Sequence, residues 1–540
     1  MIKFITKKWI AENKVFLALF FVGLVFFIGC SGFYGFLPDK FNSPDETANY
    51  FFIKTYSESG QMKSPEPLNA IFENHLHPRS MTVVNNHLVP GGFLGLIFIY
   101  GVAAKLFGLR IVYFLAPLFT ILSAFCFYQI VKKVFDKSVA TISSFLFLIH
   151  PAVLYYSARG LFPNILFVSF LVISVFFLVN KPFQNLWKYL DFISAGLFLG
   201  ITISIRPSEI IWIFIIYFLL FFFYRKEINY KQILFLLGSF FVAILPLFLF
   251  NFLIYGHPFS SAYNPAVSGE GADISQKINW FAEISKYIFP FGFHPKSIFK
   301  VFSNYFLGIF WWLTIPVAFS AMFFIKKAIY GKIKKEILVY LLICVPVSFF
   351  IFSYYGSWIF SDNQTSAVSI GTSYIRYWLP IYIFVLPLIA LFFKNIVNLF
   401  SGRKRQAVIL FLIITCFLFS LKIVLFDSSD GLIKIYRDIK KSEVIFYEVN
   451  KLIEQDAIII VDRADKIFFP EFKVAYPLRD DKTYRLIPRF SKIAPLYYYG
   501  ITLPEKDMDY LNREKLGKNN MKIVLIENFC QESLYKLVNK

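Results

Sequence analysis

Two adjacent carboxylates, Asp45 and Glu46, follow the first long apolar run of the chain. Ser43 is followed by Pro44, and Glu46 stands three residues after Ser43, a spacing that predicts a capping box at the start of a helix. Glu46 therefore has two interpretations, a helix cap or a catalytic acid, whereas the cap does not need Asp45. Asn49 falls one turn after Asp45 and is a candidate for substrate contacts. We predict that Asp45 is a general base, with Glu46 as the second acidic candidate.

Three arginines, Arg159, Arg206 and Arg376, stand at the ends of apolar segments. A lone arginine there has a structural interpretation, because its long side chain can reach water from the edge of a membrane. It also has a functional one, because a guanidinium holds a phosphate as negative charge develops on it. Arg376 is the preferred candidate, since Tyr374 and Tyr377 flank it. We predict a phosphate site formed by the three arginines and Tyr374.

Three histidines occur close together in the first polar segment, at His75, His77 and His87. Such a group suggests zinc, but positions i and i+2 suit neither one helix face nor the usual ligand spacing. We therefore expect no metal. His77 and Arg79 are instead predicted to contact a phosphate or an acceptor, with plain loop structure as the alternative for both.

These residues must be positioned by membrane helices, because the composition is that of a polytopic membrane protein. Of 540 residues 57% are hydrophobic, 71 are Phe, and only 16% are charged, with a mean hydropathy of +0.60. Apolar runs of about 20 residues recur, the length that crosses a hydrocarbon layer of about 30 Å. We predict eleven spans, at residues 15–37, 110–131, 139–157, 162–180, 189–205, 208–224, 232–254, 301–325, 337–355, 375–393 and 406–426.

The distribution of charge predicts the orientation of these spans. With eleven spans, the N-terminus and five loops on its side hold 21 basic and four acidic residues, the excess expected of cytoplasmic segments. Counting residues 92–107 as a span would move 17 of those 21 to the other face, so we predict a surface helix there. The formal net charge of +21 is thus an orientation signal, and we expect no nucleic-acid partner. The prediction is a multi-pass cell (plasma) membrane protein with a cytoplasmic N-terminus.

The segments predicted to lie outside are the first loop, residues 38–109, with surface helices, and the C-terminal part. Residues 427–540 hold 20 basic and 18 acidic residues, unlike the spans. An amphipathic pattern over 438–454 predicts a helix, 457–461 predicts a strand, and 521–526 predicts a strand before a short helix. We therefore divide the chain into a transmembrane domain, 1–426, and a small extracytoplasmic α/β domain, 427–540.

An acidic pair in the first external loop, directly after the first span, resembles the GT-C superfamily of polyprenyl-phosphate-sugar glycosyltransferases, notably the protein O-mannosyltransferases and the aminoarabinose transferases. The resemblance covers roughly residues 1–400. It implies that a first-loop acidic residue is the catalytic base and that later spans hold the lipid donor. Further similar features are Arg110, 150–159 (HPAVLYYSAR), 204–207 (SIRP), 251–259 (NFLIYGHPF) and 374–380 (YIRYWLP). The chain departs from the family at 161–164 (LFPN), where an acidic residue often stands, which leaves Asp45 and Glu46 as the main acidic candidates.

The resulting prediction is a membrane glycosyltransferase of the cell envelope. A sugar would pass from a polyprenyl-phosphate donor to a hydroxyl of a lipid, glycan or protein on the external face, with the inverting outcome that the resemblance implies. A monophosphate leaving group held by arginine requires no metal, and we expect no cofactor.

Three rival functions fit a polytopic protein. A transporter or flippase of lipid-linked glycans should place charged residues in mid-span, and here the interiors of the predicted spans are nearly free of them apart from Lys422. An oligosaccharyl transferase should carry a Trp-Trp-Asp-Tyr-Gly motif in the tail, which the sequence lacks. A surface-polysaccharide polymerase remains as an alternative, because no motif distinguishes it.

Overall fold

A computed structural model of the chain describes residues 2–35, 37, 39–183, 189–263, 289–330, 333–359 and 368–540. It is mostly helical and divides into two compact units. Unit 1 takes its described residues from 1–35, 112–245 and 274–434, and unit 2 from 36–111, 246–273 and 435–540. The first loop and the C-terminal part thus belong to one unit, while the boundary at 426/427 stays a prediction from composition.

The helices over the described residues are α1 (Ile2–Gly35), α2 (Pro44–Ser59), α3 (Gly95–Phe107), α4 (Val112–Val134), α5 (Lys137–Ile149), α6 (Pro151–Ala158), α7 (Pro163–Asn180), α8 (Leu190–Ile205), α9 (Ile210–Tyr224), α10 (Tyr230–Tyr255), α11 (Pro295–Phe302), α12 (Trp311–Ile329), α13 (Lys335–Gly356), α14 (Ser373–Tyr377), α15 (Leu379–Val397), α16 (Gly402–Phe426), α17 (Leu432–Leu452), α18 (Asp465–Phe468), α19 (Asp481–Ile493) and α20 (Glu505–Tyr510). The strands are β1 (Ser64–Pro65), β2 (Met81–Val84), β3 (His87–Pro90), β4 (Ile458–Val461), β5 (Lys473–Ala475), β6 (Leu496–Ile501), β7 (Met521–Phe529) and β8 (Glu532–Asn539).

Every predicted span coincides with a helix or a bent pair of helices. Within the described residues, eight helices are long and apolar enough to cross a membrane, or up to ten if each bent pair is one span. The predicted span at 189–205 is α8, which has only 16 residues. At about 1.5 Å per residue, a helix of that length falls short of a hydrocarbon layer of about 30 Å. The segment predicted as a surface helix contains α3, a short apolar helix of 13 residues.

Two of the predicted spans are bent, each for a local reason. Between α5 and α6 the axis turns by 46° at His150, because Pro151 cannot donate the hydrogen bond that would continue α5. His150 Nδ1 instead accepts a hydrogen bond from the backbone N–H of Ala152 at 3.2 Å and starts α6. The second bend is 102°, between 295–308 and 311–326, after a π-helical turn over Ser303–Gly308.

In unit 1, α8 and α10 approach each other closely at two glycines one turn apart. A Cβ on Gly196 would lie 2.1 Å from the carbonyl oxygen of Leu236, and one on Gly200 would lie 2.6 Å from that of Phe240. Contacts this short exclude any side chain at the two positions. The small residues therefore let the helix backbones meet, as in other pairs of apolar helices.

Unit 2 contains two sheets. The first loop forms a small antiparallel sheet in the order β1-β3-β2. The C-terminal part forms a five-stranded sheet in the order β5-β4-β6-β8-β7, with β4 parallel to β5 and β6 and with β8 antiparallel to β6 and β7. The predicted α/β character of this part is confirmed. The short helix predicted after 521–526 is wrong, because the last residues pair with β6 and β7 as the strand β8.

The first loop and the C-terminal sheet share one hydrophobic core within unit 2. Phe72 and Leu76 of the loop are buried with the sheet residues Ile458, Leu496 and Tyr535. Leu76 also forms an isolated antiparallel bridge with Ala475 of β5. The loop is therefore held by the same apolar packing that stabilises the sheet.

Candidate functional site

Asp45 lies in the first turn of α2, in unit 2. Ser43 precedes the helix and its Oγ accepts a hydrogen bond from the backbone N–H of Asp45 at 3.2 Å, and Pro44 occupies the first helical position, so the predicted helix start is confirmed. The Asp45 side chain is half-buried, whereas Glu46 is completely buried. Asn49 is half-buried one turn further along the same helix. Of the two predicted carboxylates, Asp45 is the accessible one.

Ser80 fixes the Asp45 carboxylate from the hairpin of the first loop. Its Oγ donates a hydrogen bond of 2.6 Å to Asp45 Oδ1. Ser80 has a φ of 60°, in the left-handed region. The backbone N–H of Gly91 donates to the Ser80 carbonyl at 2.9 Å, and a Cβ on Gly91 would lie only 2.6 Å from that oxygen. A residue without a side chain is therefore required beside Ser80.

Arg79 anchors the same segment to α18. Its Nε and Nη2 donate to Asp465 Oδ1 at 2.9 and 2.6 Å, and its backbone N–H donates to Asp465 Oδ2 at 2.9 Å. Nη2 also donates to the carbonyl of Arg463 at 2.7 Å. The Asp465 side chain is completely buried and the Arg79 side chain is 26% exposed. This geometry supports an anchoring role for the guanidinium.

Replacing Arg79 with alanine should destabilise the protein, because it leaves the buried Asp465 carboxylate without its cation. We expect a loss of about 3 kcal/mol, seen as a lower midpoint in thermal scans of the purified full-length chain. The matched control is Arg485→Ala, since Arg485 is 62% exposed in its pair with Glu73 and should cost no more than about 1 kcal/mol. Equal, small shifts in both variants would contradict this role of Arg79.

The three histidines of the first loop contact different partners. His75 lies 2.7 Å from Thr483 Oγ1 through Nε2, and burial lowers its pKa to about 4. His77 Nδ1 lies 3.0 Å from the Pro78 carbonyl, and burial lowers the pKa of this ring as well. His87 Nδ1 lies 2.8 Å from the carbonyl of Asn85. Over the described ranges, no three His, Cys, Asp or Glu residues are grouped so that they could hold a metal ion.

In unit 1 the three predicted arginines alternate with two aromatic rings. The Arg159 and Arg376 guanidinium carbons each lie 4.8 Å from the centre of the Phe162 ring. The Arg376 and Arg206 guanidinium carbons lie 5.3 and 4.5 Å from the centre of the Tyr377 ring. We call these five residues the arginine cluster. Arg159 and Arg206 are buried, and Arg376 is half-buried. The structure thus brings together the three cations that the sequence analysis singled out.

Glu209, which the sequence analysis missed, holds Arg206 in this cluster. Arg206 donates to Glu209 Oε1 from Nε at 2.9 Å and from Nη2 at 2.7 Å. Trp212 Nε1 donates to Glu209 Oε2 at 2.5 Å, and the hydroxyl of Tyr355 donates to Oε1. Arg206 Nη2 also donates to the Tyr355 hydroxyl at 3.0 Å. Glu209 is buried, so its charge is balanced inside unit 1 by Arg206.

The other members of the cluster have further contacts that orient them. Arg159 Nη1 donates to the Tyr155 hydroxyl at 2.8 Å, and Arg376 Nη2 donates to Ser373 Oγ at 2.9 Å. The predicted phosphate ligand Tyr374 is buried, and its hydroxyl donates to the Trp358 carbonyl at 2.6 Å. That bond directs the Tyr374 hydroxyl to the backbone. Arg376 is half-buried and is therefore the more accessible of these two residues.

Comparison with known proteins gives matches in sequence family and in fold. Residues 92–250 match the family described as dolichyl-phosphate-mannose-protein mannosyltransferase. No match to the chain was found among curated protein sequences. The structure resembles ArnT from Cupriavidus metallidurans bound to undecaprenyl phosphate, with a TM-score of 0.54 and 10% identity over 97% of this chain and 98% of ArnT. It also resembles the Archaeoglobus fulgidus oligosaccharyltransferase tethered to an acceptor peptide, with a TM-score of 0.53 and 12% identity over 99% of this chain and 75% of the other.

At these identities the structural likeness concerns the fold, and it extends over nearly the whole chain. The family match begins inside the first loop, just before α3, and extends into α10. The resemblance predicted from the sequence is therefore confirmed at the level of fold. The chain is a multi-pass membrane protein that shares its fold with ArnT and with the archaeal oligosaccharyltransferase.

Proposed function

We propose that this protein is a membrane glycosyltransferase that moves a sugar from a polyprenyl-phosphate donor to a hydroxyl acceptor on the external face of the membrane. The observation that carries the proposal is the arginine cluster, in which three guanidinium groups alternate with the rings of Phe162 and Tyr377. Glu209 forms an ion pair with Arg206 and fixes its position in the cluster. Such a cluster suits the phosphate of a lipid donor, because guanidinium groups form charge-assisted bonds with phosphate oxygens.

In the proposed reaction, Asp45 takes the proton of the acceptor hydroxyl while that oxygen attacks the anomeric carbon of the donor sugar. The bond from the anomeric carbon to the phosphate oxygen breaks, and the electron pair leaves with the polyprenyl phosphate. The leaving group gains a negative charge, which the arginines stabilise. Attack opposite the leaving group gives inversion at the anomeric carbon. The hydrogen bond from Ser80 keeps the Asp45 carboxylate oriented for this step, and Glu46 lies beside it as the second acidic residue of the turn.

The remaining predicted residues have supporting roles in the proposal. Arg206, Arg159, Arg376 and Tyr374 form the phosphate side, with Arg376 as the direct ligand. On the acceptor side, His77 and Asn49 contact substrate, and Arg79 holds the segment of His77 in place through Asp465.

Two comparisons support the class of donor and leave a wide choice of acceptors. The resembling ArnT structure contains undecaprenyl phosphate, which is the lipid phosphate that the proposed reaction would release. The resembling oligosaccharyltransferase holds an acceptor peptide, so this fold can present an acceptor to a lipid-linked donor. The excess of basic residues on the N-terminal side supports an external active face.

Replacing Arg376 with alanine should weaken binding of undecaprenyl phosphate by about 10-fold to 100-fold. The range corresponds to the loss of one charge-assisted hydrogen bond, about 1.5–3 kcal/mol. The measurement is a titration of the purified full-length protein with undecaprenyl phosphate by native mass spectrometry. The control is Arg437→Ala, since Arg437 is exposed on α17. Unchanged binding in the Arg376 variant, or an equal loss in the control, would remove Arg376 from the proposed phosphate site.

A further inference from the structure

Unit 2 contains a pocket of about 200 Å³ between the first loop and the C-terminal sheet. His77, Pro78 and Glu66 line it from the loop, and the turns before β4 and β5 line it from the sheet. Neither the family match nor the structural comparisons assign a role to it. We call it the loop pocket.

The polar lining of the loop pocket contains more carboxylates than cations. Glu66, Asp456 and Glu471 supply three carboxylates, Lys473 supplies one cation, and Gln455 supplies an amide that can both donate and accept. Lys473 Nζ contacts both carboxylate oxygens of Glu66, at 2.7 and 2.8 Å. Lys40 Nζ also donates to Glu471 Oε2 at 2.7 Å, so the three carboxylates face two cations. The remaining negative charge disfavours phosphate and other anions, and the lining favours an uncharged or amino-bearing ligand rich in hydroxyl groups.

Apolar surfaces complete the lining. The rings of Phe469 and Phe472 and the flat faces of Pro78 and Pro470 border the pocket. A sugar ring has hydroxyl groups around its edge and C–H groups on its faces, and it therefore fits polar groups next to aromatic and proline surfaces. An acyl chain would offer no hydrogen bonds to the polar groups of the lining.

His77 gives the pocket a neutral acceptor. Its Nδ1 lies 3.0 Å from the Pro78 carbonyl, which assigns the proton to Nδ1 as donor and leaves Nε2 as an acceptor. Tyr476 packs edge-to-face on the ring, with centroids 5.4 Å apart. Burial keeps the pKa of His77 below its usual value. The neutral imidazole can therefore accept a hydrogen bond from a ligand hydroxyl group.

The loop pocket is also close in sequence and in space to Asp45. His77 and Ser80 are three residues apart, which is at most about 10 Å of extended chain, and Ser80 Oγ donates to Asp45 Oδ1. Arg79, between them, is fixed to the buried Asp465. A ligand of two or three sugar rings is long enough to extend from the pocket toward the carboxylate.

We propose that the loop pocket binds the acceptor and that this acceptor is an uncharged or amino-bearing saccharide. The proposal rests on the proposed glycosyltransferase function, because it assigns the acceptor of that reaction. It narrows the acceptor from any hydroxyl compound to a glycan, whose far end sits in the pocket while one hydroxyl reaches Asp45.

The test is direct binding of free trisaccharides to the full-length protein, observed by saturation-transfer difference NMR. The probes are mannotriose, maltotriose, cellotriose and chitotriose, with glucose 6-phosphate as the anionic comparison. The protein is placed in lipid nanodiscs, because maltoside detergents contain a saccharide themselves. We expect at least one trisaccharide to bind with a dissociation constant in the millimolar range and glucose 6-phosphate to bind more weakly than that trisaccharide.

The variant for this test is the pair Gln455→Ala and Asp456→Ala, since both residues are exposed at the pocket and substitution should leave the fold intact. We expect it to weaken trisaccharide binding at least 10-fold. The matched control replaces Glu527 and Asn528 with alanine, an exposed acid and amide on β7, and should bind as the unaltered protein does. Absence of binding by all four trisaccharides, equal binding in the pocket variant, or stronger binding of glucose 6-phosphate would overturn the proposal.

An Asp45→Asn variant separates this proposal from the function on which it rests. We expect it to bind the trisaccharide as the unaltered protein does and to lose sugar transfer. If this variant transfers sugar normally while trisaccharide binding is still weakened by the Gln455→Ala and Asp456→Ala pair, the assignment of Asp45 as the base is wrong. The assignment of the loop pocket as the acceptor site would then still hold. Lost transfer without any trisaccharide binding would overturn the loop pocket alone.

Discussion

The Asp45→Asn variant is expected to lose sugar transfer by a factor of about 10²–10⁴, the usual contribution of a general base. Asparagine has nearly the same shape, and its carbonyl oxygen can still accept the hydrogen bond from Ser80, but its amide cannot take up the acceptor proton. The measurement is transfer of a radiolabelled sugar from a polyprenyl-phosphate donor in isolated membranes, at equal protein level.

The control for this experiment is Glu58→Gln, which changes an exposed carboxylate on the same helix and should leave transfer unchanged. Binding of undecaprenyl phosphate should also stay the same in the Asp45 variant, because the arginine cluster is intact. Full transfer activity without the Asp45 carboxylate would refute its assignment as the base.

The Glu209→Ala variant should show the largest loss of stability in unit 1. Glu209 is buried and accepts hydrogen bonds from Arg206, Trp212 and Tyr355. Its removal leaves the buried guanidinium of Arg206 without a counter-ion, for which we expect a cost of about 3–5 kcal/mol. Thermal scans of the purified protein at one fixed rate would measure this as a lower midpoint of unfolding.

A second substitution tests whether the cost comes from the unbalanced charge. Combining Glu209→Leu with Arg206→Met removes both charges, and it should recover much of the stability, because replacing a buried ion pair with apolar groups is often neutral or favourable. The control Glu227→Ala, at an exposed position, should have little effect. If the double variant is as unstable as Glu209→Ala, the hydrogen bonds of Trp212 and Tyr355 matter more than the charge of Arg206.

The spans could be predicted because hydropathy over 20 residues depends on composition and hardly on tertiary contacts. The exceptions concern length and local breaks, as in α8, which has 16 residues, and at His150, where Pro151 starts a new helix. The prediction of a helix in place of the strand β8 is wrong because β8 forms only by pairing with β6 and β7. The local sequence of residues 530–540 carries no information about those partners.

The sequence likewise predicted some residues of the candidate site and missed others. Asp45 and the arginines stood out because charged residues at the ends of apolar segments are few. Ser80 and Asp465 did not, because their contacts join residues 35 and 386 positions apart. Glu209 did carry a local signal, since it follows Arg206 by three residues and forms an ion pair with it.

The hairpin segment from His77 to Gly91 connects the loop pocket with Asp45 through covalent bonds and through fixed contacts at Arg79 and Ser80. A ligand that orders this segment on binding would be thermodynamically linked to the orientation of the Asp45 carboxylate, and such linkage acts equally in both directions. Occupation of the pocket would then bias the Asp45 carboxylate toward its oriented state, and an oriented carboxylate would raise affinity at the pocket by the same factor. Through this coupling, an acceptor bound in the pocket would orient the Asp45 carboxylate before the sugar is transferred.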